Sequence, residues 1–263
     1  ISNDIAQYSE VLKAAFRRYD IPYFLSIEKP VDHTSVMVFF TALLDLMSSG
    51  RFRTEQMFRL IKCGILDISV TDSSLLENYC YKWSVDGDMW TRPFTAEDEG
   101  VEELEELRKT VVKPLVQLRR KLSGENTAQE VCGLLYGYLT DCGADKSLGR
   151  LMVRLIRQDR DYEAAELKRL WGCLMEILDS VASAIGDKVI PFPELSRIIR
   201  SMIGRLTYSV PPQTLDGVIA ASARTARQCT EGTLRNGSER GQFSAECGPS
   251  RAFLRSRQAE ACK

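Results

Sequence analysis

The amino-acid sequence predicts a mainly α-helical protein with a small α/β part. Apolar residues recur every three or four positions through most of the chain up to residue 206, which is the period of helices that bury one face. Two short apolar runs, at 21–26 and 215–220, have the composition of strands instead, and a proline lies near the start of the first. The two predicted strands are far apart in sequence, with helices between them.

The first helices are delimited by clear start and stop signals. A helix is predicted at 4–20, where it ends before Pro22. The next is predicted at 34–47, because Thr34 is a good N-cap residue and Gly50 follows the last apolar position. Both helices carry an apolar stripe, so each is expected to bury one face.

The remaining elements follow in the same way. The segment 86–94 is rich in turn residues around Trp90 and is predicted to be a loop. Periodic apolar residues predict helices at 54–62, 72–83, 97–122, 127–140, 146–157, 162–185 and 193–206. We expect a helical core that includes Phe39, Leu43, Leu115, Leu170 and Leu174, and a core seam of Leu167, Leu170, Leu174, Ile177 and Val181.

Composition and charge exclude several classes of protein. Lys and Arg number 35 and Asp and Glu number 36, so the whole chain is not a basic nucleic-acid-coating protein, although a local basic groove remains open. No apolar run reaches the length of a membrane-spanning helix, and we expect no membrane partner. The first residue is Ile and no signal peptide is recognisable, so we expect an internal piece of a longer protein.

Residues that could carry chemistry are sparse. His33 is the single histidine, and its place before a helix favours a structural role at the helix start over that of a catalytic base. The cysteines have no C-x-x-C spacing, which favours small core residues or free thiols over disulfides or metal ligands; they are Cys63, Cys80, Cys132, Cys142, Cys173, Cys229, Cys247 and Cys262. No phosphate loop or nucleophile elbow is present. We therefore predict no catalytic, cofactor-binding or metal-ligating residue.

Four motifs, in a fixed order, carry a resemblance to a known family. Residues 18–24 read RYDIPYF, residues 58–66 read FRLIKCGIL, and residues 76–79 read LENY. Residues 210–222 read VPPQTLDGVIAAS, with Ala221 where the family usually has glycine. In this order the motifs resemble the AddB (RexB) family, which supplies the second chain of bacterial AddAB-type ATP-dependent helicase–nucleases and is related to UvrD-like helicases.

The resemblance implies a domain organisation and a function. Residues 1–33 would start a UvrD-like helicase motor domain, 34–206 would be a helical insertion between two of its strands, and 207–222 would hold the return strand. The chain would then be a fragment of an AddB-type helicase/deoxyribonuclease protein that depends on ATP. Such a protein acts in DNA double-strand break resection and recombinational repair.

The resemblance also implies partners and cofactors. Single-stranded DNA, duplex ends and an AddA-type helicase–nuclease protein would be the partners, in the bacterial cytoplasm. Intact family members use ATP, Mg²⁺ and an iron–sulfur cluster, and we expect none of these to be held by this stretch. Basic residues near helix ends would contact phosphates unless they form an ordinary solvated face; they are Arg119, Arg120, Lys121, Arg154 and Arg157.

The last residues of the chain differ in composition from those before them. Residues 223–263 lack periodicity and hold eight Lys and Arg against four Glu, which predicts an out-of-frame or disordered tail. A one-base shift lets residues 235–244 encode VMGLNEGSFP, which resembles the family's continuation, so we hypothesise a frameshift near Ser222.

The alternative function is a stand-alone helical protein-interaction scaffold without catalysis. A UvrD-like motor is disfavoured, since T-x-H-x-x-K-G-L-E does not follow Val210.

Overall fold

The described part of the chain divides into two compact units. The larger unit is Pro30–Leu206, and the smaller unit contains the described parts of Ile1–Lys29 and Thr207–Lys263. The predicted tail at 223–263 lies outside the described residues. The structure is a computed structural model, and it describes residues 6–95, 100–208 and 218–221.

The described residues form nine α-helices and four short strands, which makes the chain mainly helical. The helices are α1 Ser9–Arg18, α2 Ser35–Ser49, α3 Thr54–Ile61, α4 Val70–Lys82, α5 Val101–Leu122, α6 Ala128–Asp141, α7 Ala144–Arg157, α8 Asp161–Ile185 and α9 Phe192–Ile203. The strands are β1 Tyr23–Ser26, β2 Lys29–Pro30, β3 Thr207–Tyr208 and β4 Val218–Ala221. Within the described ranges, no helix combines the length and the apolar character that crossing a bilayer requires.

Helix α2 supplies much of the core of the larger unit. It packs against α3, α8 and α9, and its apolar residues cover nearly its whole circumference. Phe39, Phe40 and Leu43 are at most 1% exposed, and burying one such side chain contributes about 1.5–3 kcal/mol. The helix ends at Gly50, whose φ of +67° lies in the left-handed region that glycine adopts without strain. The helix predicted at 34–47 is therefore confirmed.

Helices α6, α7 and α8 pack on one another as a second group. A capping box fixes the start of α6, because the Glu130 N–H donates to Thr127 Oγ1 at 3.2 Å and the Thr127 N–H donates to the Glu130 carboxylate at 2.8 Å. The predicted seam on α8 is buried except for Leu167, which is half-buried. All five predicted core residues, Phe39, Leu43, Leu115, Leu170 and Leu174, are confirmed as buried.

Several local predictions need correction. The helix predicted at 4–20 is α-helical only over Ser9–Arg18 and follows a 3-10 turn, and the helix predicted at 193–206 ends at Ile203, where Gly204 is the C-cap. Helix α4 begins at Val70 and not at residue 72, because Ser69 Oγ accepts the N–H of Asp72 at 3.0 Å and so caps the helix earlier. The predicted loop at 86–94 contains a 3-10 turn, Gly87–Thr91, whose Trp90 side chain is fully buried. Turn residues in the sequence indicated the change of chain direction but not the burial of the indole within the helical unit.

The smaller unit contains both strands predicted from the sequence. β1 and β4 pair in parallel with Tyr23 opposite Val218, and the Val218 N–H donates to the Pro22 carbonyl at 2.8 Å. Phe16 of α1 stacks on Tyr23 with ring centroids 5.1 Å apart. The two strands that the sequence predicts therefore lie side by side, and β2 also pairs with β3. Residues 215–217 of the predicted second strand lie outside the described residues.

Candidate nucleic-acid interface

The buried indole of Trp90 joins the 3-10 turn to α3 of the larger unit. Its Nε1–H donates to Thr54 Oγ1 at 2.9 Å, and the Thr54 hydroxyl donates in turn to the Val85 carbonyl. The ring meets Phe58 of α3 edge-on, with centroids 5.8 Å apart. These contacts satisfy the polar atoms that Trp90 brings into the core, so the turn is held by both packing and hydrogen bonds.

An almost fully buried ion pair on α5 holds the same turn. Arg108 is 6% exposed, and its Nε and Nη2 donate to the two carboxylate oxygens of Glu105, each at 2.7 Å. Arg108 Nη1 donates to the Trp90 carbonyl at 2.6 Å, and Glu105 Oε2 accepts the N–H of Phe94 at 3.0 Å. The pair therefore ties α5 to Trp90 and to Phe94, which follows the turn.

The hydrogen bonds from Arg108 lower the pKa of the Glu105 carboxyl below its usual value, and they outweigh the opposing effect of burial. Because the folded state binds fewer protons at this group than the unfolded state, Glu105 contributes stability above the unfolded-state pKa of about 4.3. That contribution is lost as the pH falls through the lowered folded-state pKa. In urea titrations from neutral pH to pH 3, the Glu105→Gln variant is expected to show a shallower acid loss of stability.

The neighbouring variant Glu106→Gln is the control for this prediction. The Glu106 side chain is 74% exposed and accepts a hydrogen bond from Lys109 at 2.7 Å. A solvated pair of this kind contributes little to stability, so the acid loss of this variant should match that of the wild type. Equal pH profiles for the wild type and Glu105→Gln would contradict the assigned role of Glu105.

The predicted phosphate contacts on α5 differ from one another in their surroundings. Arg119 is half-buried, and its guanidinium lies 3.6 Å from the centroid of the Phe52 ring. Its Nε and Nη2 are buried and have no hydrogen-bond partner within the described residues, and burial lowers the pKa of this arginine. Arg120 and Lys121 are exposed beside it. Of the three, Arg120 and Lys121 present their charges to solvent, whereas Arg119 packs on an aromatic ring.

The other two predicted contacts, Arg154 and Arg157, lie on the last turn of α7, and both are exposed. Helix α5 and helix α7 each pack against α6. The five predicted side chains therefore belong to the last turns of two different helices. Both helices end in basic residues, an order that complements the negative end of a helix dipole.

A groove of about 560 Å³ between α3, α4 and the start of α2 was not predicted from the sequence. Tyr81 of α4 is 63% exposed there and stacks on Phe58 of α3, with centroids 6.4 Å apart. The exposed His33 lies at the groove, just before α2, where the sequence placed it. Aromatic and cationic side chains on different helices line one surface, and only the packing of those helices brings them together.

Charges in this groove are largely compensated. Lys62 Nζ lies 2.5 Å from a carboxylate oxygen of Glu77, and Arg59 lies 3.7 Å from Asp45. The half-buried Cys63 thiol donates to the Arg59 carbonyl, and burial raises its pKa, so it is a thiol and not a nucleophilic thiolate at neutral pH. The groove therefore has the chemistry of a stacking surface and lacks that of a covalent catalyst.

Three of the described cysteines, Cys80, Cys132 and Cys173, lie buried on three different helices. Burial raises the pKa of Cys80 and of Cys132 to about 12. Within the described ranges, no group of three His, Cys, Asp or Glu side chains is arranged to hold a metal ion. The described cysteines, Cys63, Cys80, Cys132, Cys142 and Cys173, are free thiols.

Comparison with known proteins identifies the relatives of this chain. No family model matches it. Proteins named as the B subunit of an ATP-dependent helicase/deoxyribonuclease are similar to it. One from Clostridium novyi (strain NT) is 25% identical over 229 residues, covering 86% of this chain and 20% of the relative. One from Geobacillus kaustophilus (strain HTA426) is 27% identical over 247 residues, covering 84% of this chain and 21% of the relative.

The chain thus spans about a fifth of the length of these curated relatives. A further relative of the same name, from Clostridioides difficile (strain 630), is 24% identical over 235 residues and covers 84% of this chain. The resemblance that the four sequence motifs carried is confirmed: the curated homologues of this chain are the AddB proteins of ATP-dependent helicase/deoxyribonucleases.

Proposed function

We propose that this chain is a segment of an AddB-type, ATP-dependent helicase/deoxyribonuclease protein that acts in DNA double-strand break resection and recombinational repair. The observation that carries the proposal is the similarity to proteins of that name over most of the chain. The intact protein would work with an AddA-type partner in the bacterial cytoplasm, on single-stranded DNA and duplex ends. ATP, Mg²⁺ and the iron–sulfur cluster would be held by other parts of the protein. A stand-alone scaffold is not favoured by this similarity.

The strand pairing supports a specific architecture. β1 and β4 are parallel neighbours, although the whole larger unit lies between them in sequence. Parallel strands need a long connection, and here that connection has its own helical core. We therefore propose that 34–206 is a helical insertion between two strands of a UvrD-like motor domain, to which 1–33 and 207–222 contribute.

Within the insertion, we propose that the C-terminal end of α5 contacts DNA phosphates. Arg120 and Lys121 are exposed neighbours there, and neither forms an ion pair within the described residues. Binding to phosphates releases counterions, so the affinity should fall with salt in proportion to the number of contacts. Arg119 would support the site by packing on Phe52 and would not itself bind phosphate.

Binding of a fluorescent oligo(dT) strand, measured over a salt series, tests this proposal. Replacing Arg120 and Lys121 together by Gln is expected to weaken binding and to reduce the slope of log affinity against log salt by about 1.4, which is two contacts at about 0.7 each for single strands. Arg197→Gln on α9 is the control for the loss of an exposed cation on another helix; Arg197 is 78% exposed and lies 3.8 Å from Glu194. An unchanged slope in the double variant, or an equal loss in the control, would exclude this site.

The frameshift hypothesis for 223–263 has a separate test. Independent reads of the nucleotide sequence across codons 205–263 are expected to contain one extra base near Ser222. Removing it should restore FVMGLNEGSFP. An intact reading frame would mean that the tail is native, and the proposed function would then rest on the residues before it.

A further inference from the structure

One face of α7 exposes two apolar side chains in the C-terminal half of the helix. Val153 is 49% exposed and Ile156 is 53% exposed. Together with Gly149 and the half-buried Met152, they occupy positions i, i+3, i+4 and i+7, which lie on a single helix face. Leu148 and Leu155, by contrast, face the core and are buried. Helix α7 therefore has a second apolar stripe in addition to the one that packs on α6 and α8.

A row of arginines borders this stripe. Arg150, Arg154 and Arg157 follow one another at i, i+4 and i+7, one helical position beyond the apolar residues. All three are exposed, and Arg150 lies 2.9 Å from the carboxylate of Asp67. The exposed surface of α7 thus combines an apolar stripe with a cationic border, which is the pattern of an interface core with a charged rim.

Gly149 leaves this face of α7 without a side chain at one position. It lies in the interior of α7, where glycine is a poor helix former, and a Cβ atom built on it meets no atom within 4 Å. Its φ is not positive, so neither backbone conformation nor crowding inside the molecule requires glycine here. Without a side chain at this position, the backbone of α7 is accessible to a partner that packs on the face.

We propose that this face of α7, formed by Gly149, Met152, Val153 and Ile156 with the arginine border, is the docking surface for an amphipathic helix of a protein partner that carries acidic residues beside its apolar stripe. Acidic side chains of the partner would complement the arginines, and its aliphatic stripe would pack on the aliphatic stripe of α7. The tail at 223–263 is itself basic and would be repelled. Nucleic acid fits less well, because single strands stack on aromatic side chains and α7 contains none.

The first test measures the binding of a designed helical peptide to the full chain. The probe has about 20 residues, long enough to lie along α7, with Leu at i, i+3, i+4 and i+7 and Glu beside them; a scrambled peptide is its control. Replacing Val153 and Ile156 by Gln is expected to weaken binding by about tenfold or more. Val116→Gln, at an exposed apolar position on α5, should leave binding unchanged. Replacing Arg154 and Arg157 by Gln should weaken binding and reduce its salt dependence.

A second test separates docking from stability. Gly149→Ala is expected to raise Tm by about 1–3 °C, because alanine favours the helix, and to weaken peptide binding because its methyl group lies in the interface. Gly137→Ala on α6 is the matched control, since a Cβ there also meets no atom within 4 Å. It should raise Tm without changing peptide binding.

Several results would overturn the proposal. The proposal is wrong if the peptide binds no better than its scrambled form. It is also wrong if the affinity for the peptide does not change when Val153 and Ile156 are replaced. If oligo(dT) displaces the peptide, and this displacement requires Arg154 and Arg157 but not Val153 and Ile156, the face binds nucleic acid instead. If light scattering detects a dimer that becomes a monomer when Val153 and Ile156 are replaced, the face binds a second copy of this chain.

Discussion

Replacing Arg108 by alanine is expected to lower the free energy of unfolding by about 3–5 kcal/mol, because it leaves a buried carboxylate without its partner. The Glu105 side chain is only 14% exposed and would lose both hydrogen bonds from the guanidinium. The Trp90 carbonyl would lose a donor as well. Urea denaturation at neutral pH, followed by the fluorescence of the tryptophans, measures the effect.

Two further variants separate this mechanism from a general sensitivity of α5. Lys109→Ala removes the next cation along the helix, but Lys109 is 51% exposed, lies 3.8 Å from Glu105 and makes its shorter contact with the exposed Glu106. That variant should unfold like the wild type. Replacing Arg108 by Met and Glu105 by Gln together should recover at least half of the loss, because no uncompensated charge remains. A stable Arg108→Ala protein would contradict the role given to this pair.

Replacing Trp90 by alanine is expected to cost about 3–5 kcal/mol, the range for removing a large aromatic side chain from a core. The side chain is fully buried, it packs against Phe58 and Phe94, and its loss would leave the Thr54 hydroxyl without the indole donor. Far-UV circular dichroism during urea denaturation measures the change, since it does not depend on the tryptophan that is removed.

Trp83→Ala is the matched control for Trp90→Ala. Trp83 lies at the end of α4, is 40% exposed and contacts Tyr79 with ring centroids 6.5 Å apart. Its removal should cost much less, about 1 kcal/mol or below, because most of the side chain stays hydrated in the folded state. Equal losses for the two tryptophans would show that the indole of Trp90 does not hold the helical unit together.

Periodicity and local chemistry in the sequence predicted most helices because their determinants are local. The apolar pattern of α2 with Gly50 after it, and the Thr127–Glu130 box before α6, lie within a few residues of the features they fix. The start of α4 was misplaced because Ser69 and Asp72 compete as caps, and that choice depends on geometry within one turn.

The surroundings of the residues in the candidate interface could not be predicted from the sequence. The sequence correctly places lysine and arginine residues at the ends of α5 and α7. It does not show which of these side chains are exposed to solvent and which pack on an aromatic ring. Arg119 lies on Phe52, which is far away along the chain. Phe58 and Tyr81 form one wall of a groove for the same reason, since they come from two helices that meet only in the fold.

The sequence by itself determined which segments are helical, which two short runs are strands and which family the chain resembles, because these depend on neighbouring residues and on short motifs. The tertiary structure alone decided that Arg108 lies buried against Glu105 and Trp90, that Arg119 lies on Phe52, and that α7 keeps an apolar face uncovered. Each of these outcomes depends on which helix faces pack together. That choice minimises exposed apolar surface over the whole unit, and no local pattern encodes it.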